Sequence, residues 1–207
     1  MRPPAWRRFP PGEWRPVGLV RMIVTMHLDI LTTESAPPES RPLLDGIAAD
    51  IGFVPNLAAV SSASPTLLAA FDALRRAVGH PMFGPVHREI AGVAVGVAVG
   101  NRYGVAFHST VLASLGVDEV DITAMRSGEE PAEPLHAAVY AFARSVALDR
   151  GRNAERAVQR AHDLGLTDAD LLQLVAECVF ASLVGIIDNL AGGVALDEFL
   201  RPQVWNG

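Results

Sequence analysis

Apolar positions recur at helical spacing along most of the chain. Leu43, Leu44, Ile47, Ala48 and Ile51 fall three and four residues apart and the run stops at Gly52, which predicts an amphipathic helix after Ser40. Phe53-Val54-Pro55-Asn56 then reads as a turn. Ser64-Pro65 offers an N-cap and a first-turn proline for a helix through Leu67, Leu68, Phe71, Leu74 and Val78, closed by Gly79. A third helix begins near Pro85. The uncharged run from Ile90 to Val99 fits a buried strand or a buried helix by period alone. No second strand-like run accompanies it, which selects the helix, and its ten residues fall short of a membrane span.

Asn101 is placed to N-cap the next helix, which runs to Leu115 and is closed by Gly116. An internal echo follows: Leu115-Gly116-Val117-Asp118-Glu119-Val120-Asp121 parallels Leu164-Gly165-Leu166-Thr167-Asp168-Ala169-Asp170. In each, one helix stops at Gly and the next starts with Asp118 or Thr167 as cap and an acid three residues later, suiting the helix dipole. Pro134 to Leu148 and Asn153 to Leu164 form a helix pair around Gly151. The last long helix, Asp168 to Ala191, is apolar on nearly every turn and belongs at the centre. The fold class is therefore all-α, with one domain over residues 34–207. Residues 1–33 read as a flexible N-terminal extension, or as the product of an upstream start with Met22 or Met26 as the working one. The Val20 to Met26 stretch is too short and interrupted to span a bilayer, and no convincing small-residue cleavage site follows it.

Composition narrows the function classes. Half of the residues are apolar and 19% are charged, which describes a folded globular chain. Every basic residue is Arg, so Schiff-base chemistry and a P-loop lysine are excluded, and no G-x-G-x-x-G occurs. The formal charge of −6 argues against a nucleic-acid partner. The densest basic cluster, Arg144 to Arg160, is interleaved with acids and reads as a solvated helix face. Cys178 is the single cysteine, so there is no internal disulfide and no C-x-x-C pair, consistent with a reducing cytoplasm. No H-x-x-x-H or H-E-x-x-H spacing exists, and neither a metal site nor a cofactor is expected.

The chemistry concentrates in Glu89 and His108. Glu89 shares its helix face with Val93, Gly96 and Gly100, and His108 shares its face with Gly104, Val105, Val111, Leu112 and Leu115. A carboxylate and an imidazole thus point inward from successive helices joined by a tight turn, nineteen residues apart. If they meet, they form an acid/base pair suited to abstracting and returning a proton. A core histidine satisfied by a structural glutamate is the competing reading. His87 faces elsewhere, and His80, His136 and His162 sit at helix ends or on mixed faces. Cys178, within Leu174 to Phe180, is expected to be buried and inert. Asn189, beside Asp188 on the last helix, is a candidate ligand donor or a bond to a neighbouring backbone or subunit.

Arg88-Glu89, the step to His108-Ser109, the Leu115-Gly116-Val117 helix end and Gly52-Phe53-Val54-Pro55-Asn56 together resemble the AhpD-like and carboxymuconolactone decarboxylase family over about residues 34–200. In that family a helical Glu precedes a C-x-x-C-x-x-x-H segment and a G-x-x-P-N turn precedes the core helices. The resemblance places Glu89 and His108 on the family's proton-relay residues, Asn101 and Gly104 on its redox cysteines, and Tyr103 between them. It implies an AhpD-like helical bundle and a homo-oligomer built from trimers, compatible with the apolar last helix. In the thiol branch it would imply a peroxidase, but neither Asn nor Gly supplies a thiolate.

The expected function is therefore thiol-independent acid/base chemistry, decarboxylation or proton transfer, on a small oxo-acid or lactone, as in a carboxy-lyase. Glu89 and His108 would carry the proton, and Arg102, Tyr103, Asn101 and Asn189 would contact the substrate. The small-molecule substrate would be met without membrane or nucleic acid, in the cytoplasm. A non-catalytic oligomeric binding or scaffold protein is the alternative, and an alkyl hydroperoxidase is a third reading that the absent cysteines disfavour.

Overall fold

The computed structural model describes residues 26–79 and 84–207, and no strand occurs among them. Among the described residues nine α-helices follow in order: α1 (Arg41–Ile51), α2 (Asn56–Ser61), α3 (Pro65–Val78), α4 (Pro85–Val99), α5 (Arg102–Ser114), α6 (Glu119–Arg126), α7 (Pro134–Asp149), α8 (Glu155–Asp163) and α9 (Asp168–Leu190). A 3-10 helix, Glu198–Gln203, closes the chain.

The helix boundaries have local causes. The Ser64 hydroxyl accepts the Leu67 N–H with Pro65 in the first turn, and Thr167 and Asp170 form a reciprocal capping box at the start of α9. Asp118 departs from the expected pattern, because its side chain makes no cap bond and Asp121 instead accepts the Ala132 N–H at 2.8 Å. The two halves of the sequence echo share a glycine stop but not a cap. Gly52, Gly116 and Gly165 hold φ of 88°, 80° and 90°, the left-handed turn that ends a helix without a Cβ penalty.

Two short elements were not expected. Asn56 begins α2 where a simple turn was read, and all of Leu57 to Ser61 is buried, so burial stabilises a helix too short to persist alone. The 3-10 helix contains Pro202 and places Leu200 in the core.

The interior consists of two apolar clusters. One joins α4, the end of α5, α6, α7 and α9 through residues such as Ile90, Val93, Leu112, Ile122, Tyr140 and Leu174. The other joins α1, α2, α3, the start of α5 and the end of α9 through Leu44, Leu57, Phe71, Tyr103 and Val184. Helices α4 and α9 pack directly on each other, as expected for the two most apolar segments. By length and composition α9 is the one described helix that would cross a bilayer, yet it carries the buried acids Glu177 and Asp188 inside the body. Most of the expected extension 1–33 falls outside the described residues. Its described end lies against the body: the Met26 N–H donates to the Leu190 carbonyl at 2.8 Å, and Leu28 and Leu31 rest on the second cluster.

Candidate functional site

The corner between α4 and α5 sets the geometry. Gly100 turns left-handed at φ 71° and the Asn101 N–H returns to the Gly96 carbonyl at 2.8 Å, closing α4. The Asn101 side chain then accepts the Gly104 N–H at 2.8 Å, capping α5 as its sequence position predicts. One residue thus ends one helix and starts the next, fixing their relative direction. Two glycines on α4 set how closely α5 approaches. A Cβ on Gly96 would lie 2.8 Å from Val105 Cγ2, and one on Gly92 would lie 2.4 Å from three atoms of the His108 ring. The imidazole therefore lies flat against the bare backbone of Gly92, one turn from Glu89.

From that seat His108 reaches Glu89, with Nδ1 2.6 Å from Oε2. The other carboxylate oxygen, Oε1, accepts Arg88 Nε at 2.7 Å and pairs with Nη2 at 2.6 Å. Glu89 is 1% exposed and the His108 side chain 15%. Burial would raise the Glu89 carboxyl's proton affinity, but His108 and Arg88 outweigh it and hold the group below its ordinary range. Glu89 is thus an ionised carboxylate inside the protein.

Beside this pair is a cavity of about 270 Å³, lined by Glu89, His108 and Arg88 together with Phe71, Phe107, Phe180, Leu57, Val78 and Val184. Gly104 and Tyr103 also line it, whereas Asn101, Arg102 and Asn189 do not. Arg102 is exposed and points to the Gly192 carbonyl at 3.4 Å. The Asn189 amide donates to the Val99 carbonyl at 2.8 Å, the neighbouring-backbone role among the expected alternatives. Asn101 accepts the Gly104 N–H through Oδ1 while its buried Nδ2 has no hydrogen-bond partner among the described residues, and its carboxamide fills the space next to Gly104, where a Cβ would come 2.2 Å from Nδ2. The space beside Gly104 therefore belongs to Asn101 and not to His108.

Tyr103 lines the cavity, but its polar groups are committed elsewhere. Its hydroxyl donates to Asp197, and its N–H donates to Asp188 Oδ2 at 3.2 Å. Burial and the nearby Asp197 charge push the phenol's proton affinity well above its ordinary value, so it stays protonated. Asp197 also accepts the Asn56 N–H, tying the Pro55-Asn56 turn to the C-terminal segment. Asp188, with its second oxygen on the Val194 N–H at 2.7 Å, clamps the start of α5 to the end of α9.

Sequence reasoning missed Glu177. It is 5% exposed on α9 and lines the cavity wall with Glu89 and His108. Burial, and next the charge of Glu89, push its carboxyl up to about 7, against the opposing pull of Arg88. A lone acid in phase with Leu174, Ala181 and Val184 on a central apolar helix was the available signal. Its neighbour Cys178 is buried, and burial with the adjacent Glu177 charge pushes the thiol up to about 12, as expected of an inert cysteine. His87 faces away from the pair and its ring meets that of His136 edge-on at 5.6 Å. His80 lies outside the described residues. No cluster of three or more metal-binding side chains occurs among the described residues.

Three solved structures share this architecture. A structure described as an alkylhydroperoxidase AhpD core, an uncharacterized peroxidase-related protein from Ralstonia eutropha JMP134, matches with a TM-score of 0.70 at 21% identity, covering 83% of this chain and 93% of that one. An uncharacterized peroxidase-related protein from Silicibacter sp. TM1040 gives 0.70 at 16% identity, with 86% and 94% covered. A variant of the debrominase Bmp8 in complex with 2,3,4-tribromopyrrole gives 0.67 at 14% identity, with 87% and 96% covered. No family model and no curated protein matches the sequence. The chain has the AhpD-like helical fold, as the Glu89 to His108 segment and the Pro55-Asn56 turn led one to expect.

Proposed function

We propose that the protein is a thiol-independent acid/base catalyst that moves a proton at the carbon next to a carbonyl in a small lactone or oxo-acid. The observation that carries this reading is the 2.6 Å contact between His108 Nδ1 and Glu89 at the wall of an apolar cavity. With Nδ1 held by a carboxylate, the imidazole has one orientation and one basic nitrogen, Nε2, left for the substrate. Nε2 takes the proton from carbon, Glu89 stabilises the imidazolium, and the same nitrogen returns the proton, so no net charge is left behind. Decarboxylation uses the same return step after carbon dioxide leaves. Thiol-dependent peroxide reduction lacks a nucleophile here, because the single cysteine is buried and protonated.

A non-catalytic binding or scaffold protein is the second reading, favoured by the structural roles that Asn101 and Gly104 have at the helix corner. Deuterium incorporation into lactones and oxo-acids, followed by NMR, separates the two. Glu89→Gln and His108→Asn should each slow exchange by about 10²–10⁴-fold, the range of a positioned general base. Exchange at the wild-type rate in both variants refutes the catalytic reading and leaves the scaffold.

We also read the protein as a trimer-based homo-oligomer. Leu172, Val179 and Ile186, seven residues apart along the outer face of α9, are 70%, 49% and 54% exposed, an apolar stripe that supports self-association. Sedimentation of the full chain tests this, and a monomer at micromolar concentration counts against it.

A further inference from the structure

The cavity wall is charged in an unusual way for a site meant to receive an anion. Its two arginines are already committed: Arg88 to Glu89 at 2.6 Å, and Arg75 to Asp72 and Asp50 at 2.7 and 2.6 Å. Glu89 adds a negative charge, and the remaining surface is mostly aromatic and aliphatic. A carboxylate entering this space would give up its hydration and find Glu89 in place of an unpaired cation. Glu177 lines the same cavity, buried and without an ion pair among the described residues. A buried carboxyl in that position is a hydrogen-bond donor when protonated, and an apolar cavity lined by both such a donor and a base suits a carbonyl compound.

We propose, resting on the proton-transfer reading above, that the cavity takes an uncharged, largely apolar cyclic carbonyl compound in preference to a free oxo-acid, with the Glu177 carboxyl donating a hydrogen bond to the carbonyl oxygen. The ring packs against Phe71, Phe107 and Phe180, and His108 faces the adjacent carbon. As the proton leaves that carbon, negative charge grows on the oxygen, and the Glu177 hydrogen bond strengthens in step. An uncharged ester has no carboxylate to lose as carbon dioxide, so this choice selects proton transfer over decarboxylation.

The donor works only while Glu177 is protonated, so binding depends on pH. The groups around it are Arg88 and Glu89 from α4, His108 from α5, Arg75 from α3, and Gln173 and Cys178 from α9 itself. Helix α2 has no ionisable residue, and none from α7 lines the cavity.

Calorimetric titration of the full chain with dihydrocoumarin and with its ring-opened hydroxyphenylpropanoate tests the proposal. The lactone should bind at least about tenfold more tightly than the acid near pH 6, and its affinity should fall about tenfold by pH 8 as the donor ionises. Glu177→Gln keeps an N–H donor that does not titrate, so its lactone affinity should stay flat over the same range. His108→Asn should keep the wild-type pH dependence. Because binding is read without turnover, and also in the His108→Asn protein, this outcome is independent of whether Glu89 and His108 exchange protons with carbon. Equal or tighter binding of the acid, no binding of the lactone, or a pH-dependent loss that persists in Glu177→Gln overturns the proposal. Carbon-13 NMR of glutamate-labelled wild type provides a readout without substitution. A buried carboxyl whose titration midpoint rises when the lactone binds supports the proposal, and one that does not move overturns it.

Discussion

Glu89 and Glu177 face one cavity from adjacent packed helices, and their surroundings drive them to opposite charge states. Both are almost fully buried. Glu89 has Arg88 and His108 within 2.7 Å, and these partners outweigh the desolvation that burial imposes. Glu177 feels the same arginine only at longer range and feels Glu89 as a like charge, so desolvation prevails. Burial alone therefore does not determine the charge of an acid. What matters is which donors reach hydrogen-bond distance.

The contrast can be broken most severely at Gly92. An alanine there would place its Cβ 2.4 Å from the His108 ring, pushing the imidazole off Glu89 while leaving both reacting side chains chemically intact. Exchange at carbon should drop by about 10²-fold, as for a small misplacement of a positioned base, while overpacking costs about 1–3 kcal/mol of stability. Deuterium exchange and urea unfolding on the same Gly92→Ala preparation check both values. Retained exchange would mean that the flat seat is dispensable.

The pH dependence of stability sharpens the contrast, because the two acids should give slopes of opposite sign. Glu89 lies below its ordinary value of 4.5 in the folded state, so its contribution is present above that pH and is lost as pH falls through the lowered value. Removing it with Glu89→Gln should cost about 3–5 kcal/mol near neutrality, and the gap to wild type should narrow in acid. Glu177 is raised to about 7, so the folded state prefers the protonated form between 4.5 and about 7. That preference is lost as pH rises through this window, leaving a buried charge that costs on the order of 3 kcal/mol. Glu177→Gln should therefore become progressively more stable relative to wild type as pH rises. Denaturant midpoints at half-unit pH steps provide the comparison, and parallel curves for the two variants would contradict it.

The smallest effect is expected at Cys178, next to Glu177 but chemically silent. Cys178→Ser should leave exchange at carbon unchanged within about twofold, and thiol alkylation of the folded wild type should be negligible until the chain unfolds. Rapid alkylation under native conditions would reopen thiol chemistry for this protein.

The amount legible in the sequence varied with element length and with how far the causes lay along the chain. Helices α3, α4, α5, α7 and α9 are long, apolar in phase and bounded by Ser, Pro, Asn, Thr or Gly, and their spans agree with those expected to within a residue or two. Helix α2 and the terminal 3-10 helix have few residues of their own to specify them and depend on burial by distant segments. For the site, Glu89 and His108 were readable because they stand out as polar groups on apolar faces. Their seat at Gly92 was not, since a glycine in an Ala/Val helix gives no sign of which ring will lie against it. Arg102 and Asn101 stand out by their place in the motif and Asn189 as a polar residue on an apolar helix, but their partners are backbone groups that only the fold supplies.

By itself, then, the sequence determined an all-helical chain, the absence of a usable thiol pair, and the inward aim of one carboxylate and one imidazole. These depend on residue identity and on spacing within one or two helices. Only the tertiary structure decided that the two groups touch, that Tyr103 is clamped by Asp188 and Asp197, and that Glu177 from α9 completes the cavity wall. The first contact spans 19 positions across the helix corner and the Tyr103 clamps span 85 and 94, and no local periodicity encodes a meeting between separate helices.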